Sequence, residues 1–167
     1  MPAPFNPSTI DAYQAIMQGI RVTRPTAIVP ASGVSHSLFQ NSGPVLLTGL
    51  IGRATAAADA NAELIKVFIG AAGATDISAV STTVATMVIG SLFYITGVFA
   101  TALAIVVGTI PVTQATFRAT PMINSIIWPG STLPLGIVGS VASNLTLSVE
   151  WHCFYVPLVP GATVVAL

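Results

Sequence analysis

The chain has 167 residues, of which 53% are hydrophobic and only 6% charged, and its formal net charge is zero. That balance excludes intrinsic disorder, which requires low hydrophobicity and high charge, and its scattered basic residues (Arg21, Arg24, Arg53, Lys66, Arg118) do not form the cluster that nucleic-acid binding needs. The single cysteine, Cys153, excludes an intrachain disulfide and a thiolate metal cluster.

Residues 1–7 are rich in proline and read as an extended arm. They lack the basic and apolar regions of a secretory leader, so the expected place of synthesis is the cytoplasm, with release by lysis. Residues 8–20 carry the one helical pattern. Ser8 can cap it, with Asp11 three positions later in a capping-box arrangement. Ile10, Tyr13, Met17 and Ile20 then share a face, with Ile16 beside them, and Gly19 and the Arg21–Pro25 segment end the helix.

Beyond this point the hydrophobic period shortens to two, and turn residues recur at short intervals. Strands are predicted over Thr26–Pro30, Ser37–Gln40, Pro44–Thr55 and Glu63–Ile69, with Ala56–Ala62 a loop or short helical turn. Further strands are predicted over Ile77–Ile89, Leu92–Thr96, Thr101–Val107, Val112–Ala119, Met122–Trp128, Leu135–Gly139, Leu145–Tyr155 and Ala162–Leu167. In the clearest of them, Leu145, Leu147, Val149 and Trp151 point one way, and Thr146, Ser148, Glu150 and His152 the other. The pattern predicts a mainly β protein: an antiparallel β-sandwich, jelly-roll-like, or a barrel, over residues 25–167. The arm and the short helix occupy residues 1–24.

The stretch from Ile77 to Phe117 holds no charged residue, and hydropathy alone would admit a membrane span there. Its Thr, Val, Ile and Gly content favours sheet. Gly90, Gly97, Gly108 and Pro111 cut it into strand-length pieces, and no Lys or Arg closely flanks its strongly apolar part, Val84 to Val112. Short strands covered by protein are therefore expected, with a small integral membrane protein of a virion as the remaining alternative.

Chemistry is sparse. His36 and His152 have no metal-ligand spacing with Asp, Glu or Cys. His152 and Cys153 are adjacent in a strand, so they face opposite sides and cannot easily share a proton; a polar-face histidine and a core cysteine are expected. Asp59 and Glu63 would share a face if Ala56–Glu63 were helical, as an acid pair, half a metal site, or a solvated rim beside Lys66. Asn144-Leu145-Thr146 matches a glycosylation sequon, which has no consequence without secretion. No phosphate-binding loop or nucleophile elbow occurs. Neither catalysis nor a cofactor is expected.

Two segments carry a resemblance. The run from Ser37 to Thr55, centred on Phe39-Gln40-Asn41-Ser42-Gly43-Pro44, resembles a segment frequent in small virion structural proteins of tailed phages. The run from Val149 to Ala162, with Tyr155-x-Pro157-Leu158-x-x-Gly161-Ala162, is similar to the ending of the same group. The resemblance implies a head or tail structural protein, and within that group a capsid cement (decoration) protein on the outer shell, often a trimer. Its partners would be the major capsid protein and neighbouring copies. On that reading Phe5, Ile10, Tyr13, Met17 and Ile20 are the expected protein-interaction residues. Alternatively, the helix covers the open end of its own β domain. A tail or host-adhesion role would instead need an aromatic or polar groove, for which Trp128, Trp151, Tyr13, Tyr94 and Tyr155 are the available side chains, and Trp151 is expected to be buried.

Overall fold

The computed structural model describes residues 19–70, 75–95, 102–107, 126–130 and 133–167. Ten strands run through them in chain order: β1 (Ile20–Ile28), β2 (Ser35–Asn41), β3 (Val45–Ala56), β4 (Leu64–Ile69), β5 (Leu92–Tyr94), β6 (Ala104–Val106), β7 (Ile126–Trp128), β8 (Leu135–Ser140), β9 (Ser148–Pro157) and β10 (Val164–Ala166). The described residues contain no helix.

All strand pairings are antiparallel. The larger sheet runs β1-β9-β3-β5-β6, with β7 also paired to β3; the smaller runs β10-β2-β8-β4. Neither sheet closes on itself, so the barrel alternative falls. β3 and β9 form the longest ladder, from Val45 opposite Pro157 to Ala56 opposite Ser148. One face of each sheet feeds a shared core: Leu47, Leu50, Val149, Trp151 and Cys153 come from the larger sheet, and Leu38, Ile65, Val67, Leu135 and Ile137 from the smaller. The period of two in β9 causes this directly, because Val149, Trp151, Cys153 and Tyr155 are buried while the residues between them are only partly so.

Three expectations change. Ile20, assigned to the helix face, opens β1 and pairs with Tyr155, so the β domain begins at residue 20 and not at 25. Ile20, Val22 and Thr23 are β-branched, and β9 offers them a full ladder. Residues 1–18, which carry Phe5, Ile10, Tyr13 and Met17, lie outside the described residues, as does the predicted strand Val112–Ala119. Leu145 precedes β9 and is 67% exposed, although alternation had placed it inward with Leu147.

The third change concerns Ile77–Ile89, which is irregular and lies along the outer edge of β4. Its Ile77, Val84 and Met87 are buried in the core. The amides of Ile65 and Val67 donate to the side-chain oxygens of Ser81 and Ser78, each at 2.9 Å, and the Ile69 amide donates to the Thr75 carbonyl at 2.9 Å. In return the carbonyls of Glu63, Ile65 and Val67 accept from Val84, Ser81 and Ile77. Hydroxyls thus stand where a neighbouring strand would place carbonyls, and an edge that would otherwise expose unpaired donors and acceptors is covered.

The charge-free stretch is described over 77–95 and 102–107, where it forms this covering segment, β5 and β6. No helix among the described residues is long and apolar enough to cross a membrane.

Candidate functional site

β9 lies between β1 and β3, so its outward side chains form the middle of one face of the larger sheet. Register brings Thr23, His152 and Ile51 into one row, and Glu150 and Arg53 into the next; Arg21, Phe154 and Gly49 fill the row on the other side. Thr23 Oγ1 lies 3.0 Å from His152 Nδ1. Glu150 Oε2 lies 3.4 Å from His152 Nε2 and 3.5 Å from the Arg53 guanidinium. With the imidazole proton on Nε2 directed at Glu150, Nδ1 accepts from the Thr23 hydroxyl.

Partial burial pushes the His152 imidazole below its ordinary pKa. Glu150 pulls the other way, and Arg21 and Arg53 add to the lowering. The neutral ring is therefore favoured near neutral pH. A hydroxyl, an imidazole and a carboxylate in line have the residue types of a nucleophilic triad. β9 is laddered to both β1 and β3 from Trp151 to Phe154, and at Glu150 to β3 alone. What the strip can do is present polar and aromatic groups to a partner. Cys153, one residue on, faces the core, where burial raises its thiol to about 12. The opposite orientation of His152 and Cys153 is as alternation predicted.

The acid pair has a different environment from the one expected. Asp59 and Glu63 sit on an irregular segment after β3, and Glu63 has no accessible surface. Both turn towards the loop before β9. Asp59 accepts from the amides of Asn61 at 2.8 Å and Leu145 at 3.0 Å, and these two bonds hold its carboxyl below the usual range. Glu63 Oε2 accepts from the Asn144 amide at 2.8 Å. Asn144 is itself fully buried: its Oδ1 accepts from Leu147 at 3.0 Å and Asp59 at 3.3 Å, and its Nδ2 donates to the Asp59 carbonyl at 3.3 Å. The amide of the apparent sequon is thus a clamp between two loops. Lys66 takes no part; it pairs with Asp76 at 2.7 Å.

Among the described residues no group of three or more His, Cys, Asp or Glu is placed to hold a metal ion. Of the aromatic side chains considered for a groove, Trp128, Trp151, Tyr94 and Tyr155 are all buried, and Tyr13 lies outside the described residues. Sequence reasoning missed the Thr23–His152 contact and the Asn144 clamp. The clamp had one available signal, an Asn two residues before a Thr in a turn before a strand. Comparison of the chain with family models, with curated proteins and with solved structures finds no match.

Proposed function

We propose that the chain is a capsid cement (decoration) protein of the tailed-phage type, a jelly-roll-like β-sandwich that sits on the outer shell. It would bind the major capsid protein and neighbouring copies, as trimers, and stabilise the head. The carrying observation is the surface. Ile28, Ile127, Val141, Leu145, Val165 and Leu167 are each at least half exposed in a chain with ten Asp, Glu, Lys and Arg in all (five basic, five acidic). Exposed apolar side chains with little charge between them suit burial against protein. The segment that enters at Gly19, with Phe5, Ile10, Tyr13, Met17 and the exposed Ile20, supplies the docking arm in this reading.

The test is sedimentation of purified protein with empty tailed-phage shells. Binding to shells, together with self-association at micromolar concentration, is expected. Removing residues 1–18, which leaves β1 whole, is expected to abolish shell binding without unfolding the β domain. A stable monomer that ignores shells overturns the proposal.

A tail or host-adhesion role is the second reading, favoured by the Thr23–His152–Glu150 strip beside Phe154 on an accessible sheet face. It predicts binding to host surface components that is lost in His152→Ala.

A further inference from the structure

Only half of the buried Glu63 carboxyl is accounted for. Oε2 accepts from the Asn144 amide, whereas Oε1 is shut off from solvent with no hydrogen-bond donor directed at it. The space beside Gly139 that it borders is also bordered by two carbonyl oxygens. A β-carbon added to Gly139 would overlap Glu63 Oε1, and would stand 2.5 Å from the Pro30 carbonyl oxygen and 3.0 Å from that of Ala31. Three oxygens therefore converge on the space beside one α-carbon. A carboxylate held there, shut off from solvent, would lie near two carbonyl dipoles. A proton on Oε1 turns the same arrangement into a hydrogen bond.

We propose that Glu63 is kept as a neutral carboxylic acid whose Oε1–H is directed at the Pro30 and Ala31 carbonyls, so that one proton latches the segment before β4 to the loop between β1 and β2.

Burial drives the carboxyl pKa upwards, which outweighs the Asn144 amide pulling it down, and the Asp59 charge adds to the rise. Among the described residues Asp59 is the one charged group facing Glu63. The segments 29–34, 77–84 and 141–147 and strand β8 contain no charged residue, and Lys66 on β4 is engaged with Asp76. The folded state holds this proton more tightly than the unfolded chain does. Its contribution is full below the pKa of an unfolded glutamate and is lost as pH rises through the folded value.

The direct test is a carbon-13 titration of the Glu63 carboxyl by NMR in the native chain. A midpoint above the ordinary glutamate range is expected; a midpoint within or below it overturns the proposal. Glu63→Gln keeps the shape, accepts from Asn144 and supplies N–H donors to the two carbonyls. It is expected to melt at or above the native temperature at pH 8 and to lose the alkaline decline in stability. A Glu63→Gln variant less stable than the native chain at every pH would overturn the latch. So would millimolar calcium or magnesium that raised the melting temperature of the native chain but not of Glu63→Gln, which would assign the three oxygens to a cation.

Discussion

The rings of Phe93 and Trp151 stack at 5.6 Å between centroids and 27° between planes, although their strands are not neighbours. β3 runs between them, and the residue of β3 in register with both is Gly52. A β-carbon there would stand 2.9 Å from both the Trp151 ring and Val149. The missing side chain is what lets the two rings meet. Gly52→Ala is expected to lower the unfolding free energy by about 1–3 kcal/mol through overpacking. Trp151→Ala is expected to lower it by about 3–5 kcal/mol through the cavity it leaves. Urea titration reads both, and a Gly52→Ala chain as stable as the native one would contradict this packing.

Asn144 anchors the loop before β9 with a buried side chain. Asn144→Ala strands the Leu147 amide and exposes the Asp59–Glu63 segment to loosening, a loss of about 2–3 kcal/mol by denaturant unfolding. Asn144→Asp should lose more at neutral pH than at acid pH, because it sets a second carboxylate beside that of Asp59. An equal loss at both would argue against the clamp.

Cys153 is buried and its thiol is raised to about 12, so the native chain holds almost no thiolate at neutral pH. Alkylating reagents are expected to leave it unmodified until the chain unfolds. Labelling should then track global unfolding across a denaturant series. Rapid labelling in buffer would show that β9 opens locally.

His152 has its imidazole lowered in the folded chain, mainly by burial. The folded state therefore binds this proton less well than the unfolded state. The contribution is present above the ordinary histidine pKa and is lost as pH falls through the folded value. His152→Gln is expected to flatten that acid-side decline, while Thr23→Val should leave it in place and remove only the contact at Nδ1. Thermal melts between pH 5 and 8 decide this, and an unchanged profile in His152→Gln would refute it.

Ser78 and Ser81 accept from Val67 and Ile65 through their hydroxyls. Replacing both by Ala leaves two buried amides without acceptors, a loss of about 1–3 kcal/mol for each. Hydrogen exchange gives the local readout: the Ile65 and Val67 amides should exchange faster in the double variant while those of β9 stay protected. Uniform acceleration would indicate general destabilisation instead.

Periodicity made β9 legible, since each of its faces meets a different medium, and the opposed orientation of His152 and Cys153 came with it. It could not recover the Ile77–Ile89 cover. A buried irregular segment and a buried strand show the same run of apolar residues, and the difference lies in which groups Ser78 and Ser81 bond. Capping signals drew Ile20 into a helix because the ladder that claims it is supplied by Tyr155, 135 positions away (155 − 20). The candidate strip was half visible: Glu150 and His152 lie two apart on one strand, but Thr23 is 129 residues from His152. Glu63 looked like a solvated acid because spacing carries no information about depth.

On the opposite rim of the larger sheet, β1 is interrupted by a shift in register between Arg24 and Ala27, at Pro25, which has no amide hydrogen to offer. The hydroxyl-lined cover seals the β4 rim of the other sheet. With so little repulsion available between copies, sheets left open on these two flanks would be free to stack strand upon strand without end. The two devices leave few free amides on these two flanks for a further strand to pair with.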